Sequence, residues 1–214
     1  MTVLDYLERR WDTVLELTID HLVLVAGSVL LATTLGVLLG VLVHQRPRAA
    51  TVLIATTSAL FTVPSLAYFA MFMVFLGLGA QPSVLTLVIY ALLPIVRNTI
   101  TGLRQVDPAM VRSARGMGMG RVQTLTRVEL PLALPVILSG VRIATVLTVG
   151  IAAVASYVGG PGLGSEIFGG LRSIGSVRAV PQATVGVLAI VAVTVVLDAV
   201  VALGGRLLTP KGLR

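Results

Sequence analysis

Four long stretches of this chain carry no formally charged side chain, and they decide its class. Residues 21–45, 49–96, 143–165 and 179–197 contain no Asp, Glu, Lys or Arg. A helix needs about 20 mostly apolar residues to cross a hydrocarbon core of about 30 Å. Three of the stretches suit one crossing each. The 49–96 stretch is too long for one and is interrupted by Gly77-Leu78-Gly79-Ala80-Gln81-Pro82-Ser83, a turn cluster. The chain is therefore expected to be an all-α membrane protein with five spans, at about 21–43, 51–78, 83–97, 132–157 and 183–204. Composition agrees. Charged residues make up 12%, against about 25% in a soluble domain, and an apolar content of 56% excludes disorder.

The net charge of +7 could suggest nucleic acid, but the basic residues sit between the apolar runs, as in cytoplasmic loops of membrane proteins. One set of loops holds Arg46, Arg48, Arg97, Arg104, Arg112, Arg115, Arg121, Arg127, Arg206, Lys211 and Arg214. The opposite set holds Arg9, Arg10, Arg172 and Arg178. The first set is expected in the cytoplasm, which puts the N-terminus outside and the C-terminus inside. No cleaved leader is expected, because the start is acidic and the first apolar run is long enough for a full crossing. Residues 1–20 read as a separate amphipathic segment: Val3, Leu4, Leu7, Trp11, Val14, Leu15 and Thr18 share one helical face. Such a helix either lies at the membrane interface or packs on the bundle, and the interfacial reading is slightly preferred. Residues 206–214 read as a short basic tail on the cytoplasmic side.

Within the spans, a few residues break the apolar pattern. Pro64 removes a backbone donor, and in lipid such a break survives where protein or a water-filled cavity satisfies the freed groups. It is a candidate for a path-lining kink and equally for a packing kink, and Pro94 is a second candidate of the same kind. Asp198 and Arg142 are ionisable groups in the fifth and fourth spans. They read as a candidate ion pair near the cytoplasmic interface, more structural than transporting. Gly36 and Gly40 form a small-xxx-small pair for close helix contact. His21 and His44 flank the first span as interfacial polar residues.

Several chemistries are excluded or unsupported. The chain has no cysteine, which removes disulfides, thiolate metal sites and a cysteine nucleophile. Gly116, Gly118 and Gly120 lack the Gly-x-x-x-x-Gly-Lys-Ser/Thr spacing of a phosphate loop. No His/Asp/Glu cluster has metal-ligand spacing, and no nucleophile–base pair stands out. No enzymatic role and no cofactor are expected in this chain. The glycine-rich run 157–164 reads as a tight loop leading into a short helix at 165–171.

Residues 98–131 form the one long polar stretch. Asp107-Pro108 is a helix start, with Asp as cap and Pro in the first turn. Met110, Ala114 and Met117 follow on one apolar face, and Gly118 is a natural stop. A second short helix fits 120–129, with Val122, Leu125 and Val128 on one side; Pro131 ends it and begins the next span. Two short helices with apolar stripes and arginines can dock into a groove on a cytoplasmic partner. A basic loop resting on anionic lipid is the alternative.

At this loop the chain resembles the permease subunits of binding-protein-dependent ABC importers. Their conserved loop reads Glu-Ala-Ala, three residues, Gly, nine residues, Ile, any residue, Leu-Pro. Here Arg112, Ser113 and Ala114 stand at the first three positions, followed by Gly118, Val128, Leu130 and Pro131 at the matching spacing. Only Ala114 matches among the first three, and Arg112 reverses the charge of the usual Glu. The runs 62–67, 91–99, 114–119, 129–137 and 157–164 look like the osmoprotectant branch, which carries glycine betaine, choline, carnitine or related quaternary amines. The resemblance covers residues 21–205 and implies the type I importer bundle in a bacterial or archaeal cell membrane. It implies a second permease subunit, a cytoplasmic ATPase dimer holding ATP and Mg, and an external substrate-binding protein. In such importers loop 98–131 would be the coupling helix. An importer of amino acids or another small polar solute is the alternative, and a non-transporting membrane scaffold a more distant one. High-affinity recognition of a quaternary ammonium needs an aromatic cage. The ten aromatic residues here look scattered, so the cage is expected on the binding protein.

Overall fold

A computed structural model describes residues 1–208. Helix α1 (Val3–Val43) is followed by α2 (Pro47–Thr62), α3 (Ser65–Leu76) and α4 (Ala80–Gln105). Two short helices, α5 (Pro108–Gly116) and α6 (Arg121–Thr124), and a π-helical turn (Leu125–Glu129) lead into α7 (Leu130–Ala155). A 3₁₀ turn (Ser156–Val158), α8 (Gly164–Arg172) and α9 (Ala179–Leu208) complete the chain. Four helical stretches are long and apolar enough to cross a membrane, and α2 with α3 supplies a fifth as a pair bent by 89°.

Helix α4 is the centre of the bundle, packed on α1 and α7 and flanked by α2 and α3. In lipid, apolar side chains gain little by leaving their surroundings, so helices associate through close packing. The glycines show how close this is. A Cβ on Gly36 would stand 2.7 Å from Ile95 Cγ2, and one on Gly40 would stand 2.6 Å from Thr99 Cγ2. On the other side of α4, a Cβ on Gly140 would stand 2.7 Å from the Pro94 carbonyl oxygen. The small-xxx-small pair of the first span is thus a seat for α4. The core joins Leu24, Val25, Val29 and Ala32 of α1 to Leu87, Ala91 and Ile95 of α4 and to Ala144, Val149 and Ala152 of α7.

Several expectations are corrected. Residues 1–20 do not separate from the first span at residue 20: α1 starts at Val3 and is kinked at Arg10, where two helical pieces join. Tyr6 and Val14 are buried in the core, while Leu4, Trp11 and Leu15 of the amphipathic face stay exposed, so the stretch is packed on one side and open on the other. Helix α4 extends to Gln105, so residues 98–105, assigned to the polar loop, are its last turns. Helix α4 also runs unbroken through Pro94, which is buried. That proline faces Gly140 of α7 and makes no break. Arg206 belongs to α9 and not to a tail, while Lys211 and Arg214 lie outside the described residues.

At Pro64 the chain does break. Proline offers no N–H to the carbonyl four residues earlier, that of Leu60. The Tyr68 hydroxyl donates to this carbonyl at 2.9 Å, and the Tyr90 hydroxyl of α4 donates to the Val63 carbonyl. Phe61, Tyr68, Phe72 and Tyr90 meet around the bend with ring centroids 5.3–6.0 Å apart. The aromatic residues are therefore not scattered; four of them close the bend.

The glycine-rich run folds as a tight loop into α8. Gly162, at φ +117, lies against α1, where a Cβ would come within 2.8 Å of His21 Nδ1. His21 is fully buried, its Nε2 3.2 Å from the Val149 carbonyl oxygen. It is a packing residue between α1 and α7, and not an interfacial one.

Candidate coupling surface and intramembrane ion pair

Helix α5 starts as its sequence dictates. Asp107 Oδ1 accepts the Ala109 amide at 2.7 Å, and Pro108 fills the first turn. Its end is set by Gly118, at φ +87, a conformation that costs a residue with a Cβ. The Gly118 and Met119 amides donate to the carbonyls of Arg115 and Ala114 at 3.0 and 3.1 Å, satisfying the last turn.

Of the apolar stripe on α5, only Ala114 turns inward and is buried. Met110 and Met117 are 50% and 73% exposed, and Val122 of α6 is 72% exposed. Arg112, Ser113, Arg115 and Arg127 are exposed as well. The segment thus presents apolar side chains among guanidinium groups, and Met110 and Met117 stay exposed among the described residues.

The second half of the segment is anchored. Gly120 donates its amide to Gln123 Oε1 at 3.1 Å, and the buried Thr124 hydroxyl donates to the Gly120 carbonyl at 3.1 Å. Leu125 and Leu130 pack on Leu103 of α4 and Ala133 and Ile137 of α7. Val128 is half-buried. Pro131 begins the next span as expected, in the first turn of α7, but no break precedes it: the π-helical turn Leu125–Glu129 passes straight into α7. A π-turn shifts the hydrogen-bond register by one residue, so a proline there interrupts nothing; such turns recur at functional sites.

Sequence reasoning missed the polar clasp behind this segment. Glu129 is 5% exposed, and its Oε2 lies 3.3 Å from His44 Nε2 at the end of α1. Arg104 Nε donates to the His44 carbonyl at 3.0 Å, and Arg121 Nη2 donates to Gln45 Oε1 at 2.7 Å. His44 is thus a junction between α1, the end of α4 and the coupling segment, beyond the interfacial polar role assigned to it. A Glu beside the Leu-Pro of the motif was the one available signal.

Deeper in the bundle, Arg142 and Asp198 do pair, and in bidentate fashion. Arg142 Nε donates to Asp198 Oδ1, and Nη2 donates to Oδ2 at 2.6 Å. Arg142 lies near the midpoint of α7, deeper than the cytoplasmic end expected from the sequence. The side chains are 56% and 27% exposed.

On the opposite side, Glu166 of α8 is buried and accepts the Tyr6 hydroxyl at 2.5 Å. Arg10 Nη2 stands 3.7 Å from the same carboxylate. This contact ties the start of α1 to α8, and no local sequence pattern signals it.

Residues 32–211 match the family described as binding-protein-dependent transport system inner membrane component. The chain belongs to this family. It is the permease of an ABC importer, and three similar permeases come from three bacteria. The carnitine transport permease protein OpuCB of Listeria monocytogenes is 40% identical over 79% of this chain and 78% of its own. The choline transport system permease protein OpuBB of Bacillus subtilis is 35% identical over 99% and 96%. The osmoprotectant import permease protein OsmW of Salmonella typhimurium is 37% identical over the whole of both chains. Among solved structures, an inward-facing form of the MetNI methionine ABC transporter superposes with a TM-score of 0.79. It covers 95% of this permease and 99% of that chain at 22% identity, a likeness of fold. The fold is that of the type I importer permeases, as the motif spacing implies.

Proposed function

We propose that this permease forms the solute path of an ATP-driven importer of quaternary-ammonium osmoprotectants such as glycine betaine, choline or carnitine. The observation that carries this reading is the near full-length similarity to permeases named for those solutes. The likeness to a methionine transporter, at 22% identity, extends to the fold and lends no support to an amino acid as cargo.

In this reading a second permease, identical or homologous, completes the path. An ATPase dimer holding ATP and Mg receives α5 and α6, and an external binding protein delivers the solute. The N-terminus faces outside and the C-terminus inside. ATP binding draws the coupling segments together, and the clasp around His44 transmits the motion to α1, α4 and α7. Rigid helices then rock about the path to alternate its access. This permease makes and breaks no covalent bond. The aromatic group at Pro64 is engaged by its own rings and by carbonyls, so tight capture of a quaternary ammonium falls to the binding protein. Arg112 points outward from α5 and suits a carboxylate on the ATPase.

The test is uptake of labelled glycine betaine by the complete complex in proteoliposomes, with choline, carnitine and amino acids as competitors. ATP-dependent uptake blocked by choline or carnitine is expected. Uptake of an amino acid with none of betaine or choline overturns the cargo assignment and leaves the importer class standing.

A further inference from the structure

The Arg142–Asp198 pair stands where a charged group is costly, and it is not fully used by its own chain. A guanidinium has five N–H donors. Asp198 takes one from Nε and one from Nη2, and among the described residues no other hydrogen bond of Arg142 is present. Three donors remain, together with lone pairs on both carboxylate oxygens. Hydrocarbon satisfies none of them, and ionisable side chains within spans turn to protein or to a water-filled cavity. The exposed face of Arg142 thus calls for a polar partner outside its own chain, and a solute path supplies one.

The neighbours on the two helices support this. Ser139 lies one turn before Arg142 on α7 and is exposed; Thr194 lies one turn before Asp198 on α9 and is half-buried. The two helices run in opposite directions, so Ser139 and Thr194 extend the polar row one turn to either side of the pair. Both hydroxyls donate to carbonyls of their own helix, at 3.2 and 2.8 Å, and keep acceptor capacity outward. Around them the face is apolar, with Ile143, Val146, Val195 and Val196 exposed.

We propose that Arg142 and Asp198 form a transient site in the solute path for a zwitterion: the guanidinium takes the carboxylate of the solute, and the Asp198 carboxylate faces its ammonium. This deepens, and rests on, the cargo reading above. A matched pair already has its charges compensated, so it receives an overall neutral zwitterion by exchanging partners without leaving a net charge in the membrane. Its own mutual attraction competes with the solute, which keeps the site weak and suits passage.

Glycine betaine carries a carboxylate and choline does not, so the two solutes separate the roles. In the reconstituted complex, Arg142→Gln is expected to lower the maximal rate of betaine uptake about tenfold while choline stays within about twofold. Asp198→Asn should lower both. Equal loss of both solutes in Arg142→Gln overturns the proposal. So does full recovery of both in the exchanged pair Arg142→Asp/Asp198→Arg, since that pair would be structural. A folding-neutral measurement stands beside these. The chain has no native cysteine, so Ser139→Cys can be labelled alone with a water-soluble thiol reagent. Labelling slowed by betaine supports a path site; no labelling from either side means lipid or a second permease covers this face, and overturns it. Wild-type complex that carries neither solute instead defeats the cargo reading, and the proposal with it.

Discussion

The Tyr68 hydroxyl occupies the acceptor that Pro64 deprives of its backbone donor, the carbonyl of Leu60, at 2.9 Å. A bend of 89° in an apolar span therefore leaves this carbonyl satisfied, as lipid requires. Tyr68→Phe should keep the ring packing against Phe72 and Tyr90 and leave the Leu60 carbonyl with only the longer 3.4 Å bond from the Val63 N–H. A loss of about 1–3 kcal/mol is expected, read as a lower unfolding midpoint of the purified permease. Pro64→Ala restores an N–H, so the double variant should lose less than the sum of the two. Strict additivity would separate Tyr68 from the proline.

Gly118 terminates α5 at φ +87. A Cβ there meets no neighbour, so the cost of substitution is conformational and not steric. Gly118→Ala should cost about 1 kcal/mol and reduce transport moderately. Gly118→Pro demands the opposite sign of φ, redirects α6 and should abolish uptake with insertion intact. Recovery of the ATPase on affinity-tagged permease should fall in parallel. Unchanged uptake in Gly118→Pro would remove the coupling role from this segment.

What the sequence made legible was whatever one helix can specify alone. Charge-free length marked the spans, Asp107-Pro108 and Gly118 marked α5, and Gly36 with Gly40 marked a close helix contact. What it hid were contacts between distant segments. Tyr6 with Glu166, His44 with Glu129, and the rings around Pro64 each join residues far apart in the chain, and no local pattern encodes such a pair. Pro131 marked the start of α7, where a first-turn proline costs no hydrogen bond; what stayed hidden was the π-helical turn that joins it to α6 without a break. Residues 98–105 misled because polarity was read as loop, whereas α4 simply continues past the membrane-spanning part with Arg104 reaching His44. Of the coupling motif, Gly118, Val128, Leu130 and Pro131 proved to be framework, while Arg112 and Ser113 are exposed and Ala114 holds α5 down.

Glu129 and His44 link the coupling segment to α1 through a contact of 3.3 Å between buried groups. His44 Nδ1 lies 2.6 Å from the Val41 carbonyl oxygen, an acceptor, so that nitrogen carries a proton. The remaining nitrogen, Nε2, faces the Glu129 carboxylate oxygen at 3.3 Å. Glu129→Ala removes the acceptor and leaves His44 behind. The expected result is intact assembly with the ATPase but weakened transmission: ATP hydrolysis continues while solute uptake falls by about tenfold. Glu129→Gln, which keeps the shape and a hydrogen bond, should retain more uptake than Glu129→Ala. Equal ratios of uptake to hydrolysis in all three proteins would leave the clasp a packing contact.

Topology can be read with single cysteines because the native chain has none. Arg115 is exposed on α5, and Val177 is exposed between α8 and α9. α7 and α8 separate the two positions, with α7 long enough to cross the membrane, so they must lie on opposite sides. The arginine distribution leads to the expectation that Arg115 is cytoplasmic and Val177 external. A membrane-impermeant maleimide should label Val177→Cys in intact cells and reach Arg115→Cys only after lysis. Both substitutions replace exposed side chains, so folding should survive in each. Labelling of Arg115→Cys in sealed cells would invert the assignment. The coupling segment would then face away from ATP, which a coupled importer cannot tolerate, so the same result would also count against α5 as the ATPase contact.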